Sequence, residues 1–260
     1  MTNSEFLKKY QRLQYGIMFD ELFYLESAIV GISHTDKTTF WNYALIQKNI
    51  TEEKLAEIES KMKLLERAPI IYVENGDDFS ATVDLLNEKG YGKAYEDSWM
   101  FWEGGEIDSA RFSQIKKVFN EDELKIYLET FDNCFRNNDP QNPYGELGDY
   151  LKVAEKSWHD HHASDKLEYF IAYKENEPVA VATLANGGGL GYISNVGSLK
   201  KVRGEGFGKL VTLFCVEASK KKGNETHFLA TEENTYPNEF YKQIGFETRF
   251  TAVAYAKNIL

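Results

Sequence analysis

Cysteine is nearly absent: Cys134 and Cys215 are the only two in 260 residues. They lie far apart in helix-like segments, which excludes a disulfide framework. Both are expected to be buried thiols of a reducing compartment. No run approaches the roughly 18 apolar residues of a membrane helix. The first residues have neither the basic start nor the apolar stretch of a secretion signal, so a cytoplasmic location is the expectation and a membrane partner is not. Positive charge is also short. Against 41 Asp and Glu stand 30 Lys and Arg, a net charge of −11. Phosphate backbones are bound by clustered cations, so nucleic acid is not an expected partner. The 42% hydrophobic and 27% charged content exclude a disordered chain, and the length allows one large domain or two small ones.

Periodicity predicts a helix over 4–26, strands over 28–32 and 38–46, and an amphipathic helix over 51–67. In that helix Leu55, Ile58, Met62 and Leu65 share a face and Thr51 is the N-cap. A strand over 70–73, a helix over 79–89 and a strand over 98–102 follow. Gly104 and Gly105 break the pattern, which sets a boundary near Glu106 and divides 1–107 from 108–260. The second part reads as strand 113–119, helix 121–135, loop 136–148 and helix 149–158. Strands then fall over 168–173, 179–184 and 192–198. A helix over 206–221, a strand over 226–230, a helix over 237–243 and a strand over 249–256 complete the pattern.

The segment richest in chemistry joins the strand ending at Ser198 to the helix beginning at Gly206. Its core is Arg203-x-x-Gly206-x-Gly208. Glycines at a strand-to-helix junction let the backbone turn tightly with its N–H groups converging. The helix N-terminus adds about half a positive charge, and the two together suit a pyrophosphate. Arg203 and Lys209 supply flanking cations in an acidic chain. The glycines do not fit the spacing of a dinucleotide fold, and Leu210 after Lys209 departs from a Walker loop. A glycine-rich turn capping a core helix is the other reading of this junction alone.

A second segment reads Asn234-x-x-Pro237-x-x-Phe240-Tyr241-x-x-x-Gly245-Phe246. The two segments, in this order, resemble the GNAT superfamily of acyl-CoA-dependent N-acyltransferases. The resemblance covers residues 112–257, with Pro237 where the family has a small residue. It implies an α/β (α+β) fold with a mixed, mostly antiparallel central sheet flanked by helices. It implies acetyl-CoA as acyl donor and no metal. The pyrophosphate would be held within Arg203, Gly204, Glu205, Gly206, Phe207, Gly208 and Lys209. The pantetheine arm would run along Val196, Gly197 and Ser198, where a backbone N–H would polarise the thioester carbonyl; for Val196 and Ser198 the alternative is ordinary strand residues. Asn234 would contact the arm or order its loop. Tyr241 would protonate the departing thiolate, or pack its ring and hydrogen-bond to the cofactor. Glu232 and Glu233 are the candidates for taking a proton from the amine, with solvated loop carboxylates as the alternative.

The resemblance implies acetyl transfer to a primary amine of a small-molecule or peptide acceptor by direct attack in a ternary complex. The acidic balance mildly favours a cationic one. A non-catalytic acyl-CoA sensor or scaffold, or use of a longer acyl chain, stands beside that reading. Trp158-His159-Asp160-His161-His162 has metal-ligand residue types but reads as a polar loop that could line the acceptor pocket. Trp99, Phe101 and Trp102 read as packing aromatics. Residues 38–102 repeat the element order of the second half, with Leu86 at the position of Tyr241 and Glu52 and Glu53 at the helix start. The first half therefore resembles a degenerate second copy in tandem, with an unrelated α/β extension as the alternative. Its expected roles are to cover the second sheet, shape the acceptor site or form a homodimer.

Overall fold

The computed structural model describes residues 1–136 and 139–257; Asn137 and Asn138, within the loop expected over 136–148, lie outside the described residues. The first elements are α1 (Asn3–Leu13), β1 (Glu21–Tyr24), β2 (Ala28–Ile32), β3 (Tyr43–Ile46), α2 (Glu52–Leu64), β4 (Ile70–Glu74), α3 (Ser80–Glu88) and β5 (Tyr91–Trp102). Then come β6 (Ile115–Lys117), α4 (Glu121–Cys134), α5 (Tyr150–His161), β7 (Leu167–Lys174), β8 (Glu177–Gly187) and β9 (Leu190–Ser198). The chain ends with α6 (Phe207–Lys221), β10 (Thr226–Glu232), α7 (Tyr236–Gln243) and β11 (Phe246–Lys257). The fold is mixed α/β, with mostly antiparallel strands flanked by helices.

Packing divides the chain into Met1–Trp99 with Arg249–Leu260, and Met100–Thr248. The sequence reading placed its division at 107/108; the packing division falls inside β5 and again inside β11.

In the first unit the helix expected over 4–26 stops at Leu13. Its start carries a Thr2–Glu5 capping box, but Gly16 turns the chain at φ +78. Residues Glu21–Tyr24 then pair antiparallel with β2. The strand expected over 38–46 shortens to β3, because residues 39–41 form a 3-10 turn. Thr51 caps α2 as expected, its hydroxyl accepting from the Lys54 amide at 3.4 Å. Leu55, Ile58 and Met62 bury against Ile32, Val73 and Leu86. β4 lies parallel to β3 and antiparallel to β11, where Ala252–Ala256 face Glu74–Ile70.

In the second unit the strand order is β10-β9-β8-β7-β6. Only β9 and β10 run parallel there. Strand alternation gives β8 two faces. Ala182 and Leu184 join Phe207, Val211 and Val216 of α6 in one core. Thr183, between them, meets Tyr127 of α4. The histidine segment is not a loop: α5 runs through His161, and the His162 ring stacks on Trp158 at 3.9 Å. Among the described residues no helix is long and apolar enough to cross a membrane, and no group of three His, Cys, Asp or Glu could hold a metal ion.

Candidate active site

The site begins where two parallel strands part. β9 and β10 pair only at Leu190–Thr226, Gly191–His227 and Tyr192–Phe228. Beyond that point β9 keeps its pairing with β8 alone. That pairing is irregular: Val181 faces Gly197 and Thr183 faces Ser194. β9 therefore carries one extra residue at Asn195–Val196, a bulge that bends the strand. The bend helps carry Val196, Gly197 and Ser198 to the open side of the parting. Gly197 is required there, since a Cβ would lie 2.6 Å from Cβ of Cys134 in α4.

β9 leads through a 3-10 turn into the glycine junction. Gly204 and Gly206 sit at φ +82 and +81, a conformation that favours glycine. The Arg203 and Glu205 amides are occupied, donating to Lys200 and Val202 carbonyls at 3.4 and 3.2 Å. The amides of Gly204, Gly206, Phe207, Gly208 and Lys209 have no partner among the described residues. Within the expected cradle the available donors are thus these five, at the positive end of α6, a helix of 15 residues. No side chain caps it. By contrast Thr51 and two glutamates already serve the start of α2.

The charges around this junction differ from the sequence reading. Arg203 is not a free flanking cation: its guanidinium grips Asp139 with two hydrogen bonds of 2.7 and 2.5 Å. The Glu205 carboxylate binds Lys174. Lys209 is exposed and forms no ion pair among the described residues. Arg111, which the sequence reading missed, donates to the Glu205 carbonyl at 3.0 Å and lies over the Phe207 ring at 4.5 Å. It braces the turn and brings a cation to it. A lone arginine 94 positions away gives no local signal.

The pair with Arg203 holds the Asp139 carboxyl below the usual carboxylate range, chiefly through their hydrogen bonds. A depressed folded value stabilises fully above the unfolded value near ~4 and fades as pH falls through the folded one. Asp139→Asn is expected to cost roughly 1–2 kcal/mol at neutral pH, between exposed and buried pairs. In urea unfolding the difference from wild type should shrink as pH falls below the unfolded carboxylate value and vanish once the folded carboxyl is itself protonated.

Tyr241 lies on α7 with its ring edge-on to Phe240 and Phe246. It is 8% exposed, and burial raises its hydroxyl well above the ordinary phenol value, with smaller contributions from Tyr144 and Tyr192. At neutral pH it is a protonated donor, and it has no hydrogen-bond partner among the described residues. Glu232 is the last residue of β10, two residues beyond the expected end at 230. Its amide donates to the Tyr144 hydroxyl at 3.3 Å and its carbonyl accepts from Thr235 at 2.6 Å. Its carboxylate is half-buried and without an ion pair among the described residues. Asn234 is exposed at φ +61 and makes the turn into α7. Ser198 is half-buried and makes no side-chain hydrogen bond among the described residues. Tyr144 was missed because it sits in a segment with no periodic pattern.

Residues 124–246 match the acetyltransferase (GNAT) family. In fold the chain is similar to a GCN5-related N-acetyltransferase from Kribbella flavida, at 14% identity and a TM-score of 0.67, over 99% of this chain and 96% of that one. A functionally unknown conserved protein from Staphylococcus epidermidis is similar at 14% identity and a TM-score of 0.64, over 94% and 96%. A tandem GNAT protein from the clavulanic acid biosynthesis pathway is similar at 10% identity and a TM-score of 0.56, over 88% and 78%. No curated protein matches the sequence.

Proposed function

We propose that the chain is an acetyl-CoA-dependent N-acetyltransferase whose working site lies in Met100–Thr248. The observation that carries this reading is the row of unpartnered amides at Gly204 and Gly206–Lys209, beside the parting of β9 and β10. The residues present suit acetyl-CoA. The amides and the α6 dipole would bind the pyrophosphate, and Val196–Ser198 would pair with the pantetheine arm as an added strand.

A primary amine then attacks the thioester carbonyl directly. The C–N bond forms, the C–S bond breaks, and the oxyanion between them is held by a backbone N–H of Val196–Ser198. An alkylammonium must first lose a proton, since its value is about 10.4 in water. Glu232, alone or through water, is the candidate acceptor for it. Tyr241, kept protonated by burial, offers its hydrogen to the leaving sulfur and recovers one, directly or through water, from the nitrogen as the amide forms. With Tyr241→Phe, turnover should fall roughly 10- to 100-fold while acetyl-CoA affinity holds within about threefold. Thiol release and calorimetric titration measure the two quantities.

The decisive test is purified protein with acetyl-CoA across a panel of polyamines, amino acids, aminoglycoside-type amines and peptides. CoA release supports the reading. Tight binding with no release from any amine supports the sensor or scaffold reading instead, and absence of binding overturns both. The unit of residues 1–99 and 249–260 is read as a worn second copy without a cofactor site. Thr51 and the glutamates at the start of α2, and Leu86 fully buried at the position matching Tyr241, support that reading.

A further inference from the structure

The bulge of β9 is built around a residue under constraint. Asn195 stands at φ +54, a left-handed conformation that non-glycine residues adopt at a cost. Its side chain is held on both sides. Oδ1 accepts from the Tyr150 hydroxyl at 2.8 Å, and Nδ2 donates to Thr183 Oγ1 at 3.1 Å. Thr183 Oγ1 in turn lies 2.7 Å from the Tyr127 hydroxyl. Thr183 and Tyr127 are 3% and 0% exposed. One amide group thus ties the bulge to the start of α5, to β8 and, through Thr183, to α4. In a dry setting such a linked set is stiff when every member is paired.

The three residues after Asn195 are the ones at the parting of the strands. The direction of their N–H groups follows from the torsion of the bulge. Donors aimed in advance at a developing oxyanion stabilise it far more than donors that must reorient. Without the clamp, the left-handed state of Asn195 competes with ordinary extended backbone, and the bulge can relax.

We propose that Asn195 is a positioning residue for acyl transfer, its clamped side chain fixing the angle at which the outward-facing backbone N–H groups of Val196–Ser198 meet the thioester carbonyl. The inference rests on the acyl-CoA reading above. Tyr150 is its partner in this role, because it opens the helix that follows the 139–149 segment and grips the bulge from that side. The amide chemistry is specific: an acceptor faces Tyr150 and a donor faces Thr183, an arrangement no aspartate or leucine reproduces.

The test needs no acceptor amine. The full chain is titrated with acetyl-CoA labelled with carbon-13 at the thioester carbonyl, and the carbonyl stretch of the bound ligand is read by isotope-edited infrared spectroscopy. Asn195→Gly keeps the left-handed backbone and removes the clamp. Tyr150→Phe removes one hydroxyl and leaves the bulge residue in place. Wild type should shift the stretch to lower frequency. Asn195→Gly should lose about half of that shift or more and broaden the band, with Kd within about threefold. Tyr150→Phe should lose a smaller part, and it carries the test if Asn195→Gly does not fold. Shifts equal to wild type in both variants overturn the inference and leave the acyl-CoA reading standing. Failure of wild type to bind acetyl-CoA overturns the acyl-CoA reading, and the inference with it.

Discussion

Replacing Gly206 by valine is expected to weaken acetyl-CoA binding about 100-fold, a loss of about 2.7 kcal/mol. Gly206 is the N-cap of α6 at φ +81. A β-branched residue is a conformational outlier there and costs of order 1–3 kcal/mol. The chain relieves that strain by rotating the turn, and the rotation swings the free amides of Gly206, Phe207 and Gly208 away from a common point. Arg111 resists the movement through the Glu205 carbonyl, so the strain is not relieved without a further loss. Calorimetric titration measures the affinity, and thermal melting separates it from unfolding. A variant that melts normally and binds acetyl-CoA like wild type would remove the cradle from the site.

Gly197→Ala should lower stability by roughly 2 kcal/mol and abolish most activity. The added Cβ lies 2.6 Å from Cβ of Cys134 and 3.0 Å from the Phe135 ring. Both obstacles lie at the end of α4, one of them helix Cβ rather than a flexible tip. Overpacking of this kind typically costs 1–3 kcal/mol. At roughly 3 °C per kcal/mol for a chain of this size, Tm should fall by about 6 °C. Cys134→Gly removes the nearer obstacle at the cost of a buried side chain and about 0.3 kcal/mol of helix propensity. The double variant should therefore lose less than the sum of the two singles. Strict additivity in melting experiments would mean that this contact does not limit how α4 seats on β9.

The parts of the site that were legible in sequence are those written in consecutive residues. The glycine junction, the amphipathic α6 and the Asn234–Phe246 segment each carry their own pattern, and the elements formed where the pattern put them. The cluster of Phe207, Leu210 and Val211 is an instance: helical spacing brings them together before any other part of the chain is known. Contacts made by single polar residues at long range were not legible. Asp139 reaches Arg203 across 64 positions and Tyr150 reaches Asn195 across 45. An aspartate in a polar stretch and a tyrosine at a helix start are common, and nothing nearby distinguishes these two. The bulge is implied by the family resemblance, but the strand's own residues do not show it. It is a mismatch of register between β8 and β9, and register belongs to a pair of strands rather than to either one. The helix expected over 4–26 failed at Gly16, where one turn outweighed the helical look of its flanks.

The order of synthesis gives β4 a peculiar history. Its antiparallel neighbour is Ala252–Ala256, which leaves the ribosome only after all of Met100–Thr248 has been made. Domains ordinarily fold as units from the N-terminus onward. Here residues 1–99 wait, with the hydrogen-bonding edge of Ile70–Glu74 unfilled, while some 150 residues of the second unit emerge. An apolar strand held open in this way is a template for wrong partners. The sheet of the first unit is therefore completed only once Ala252–Ala256 has been made.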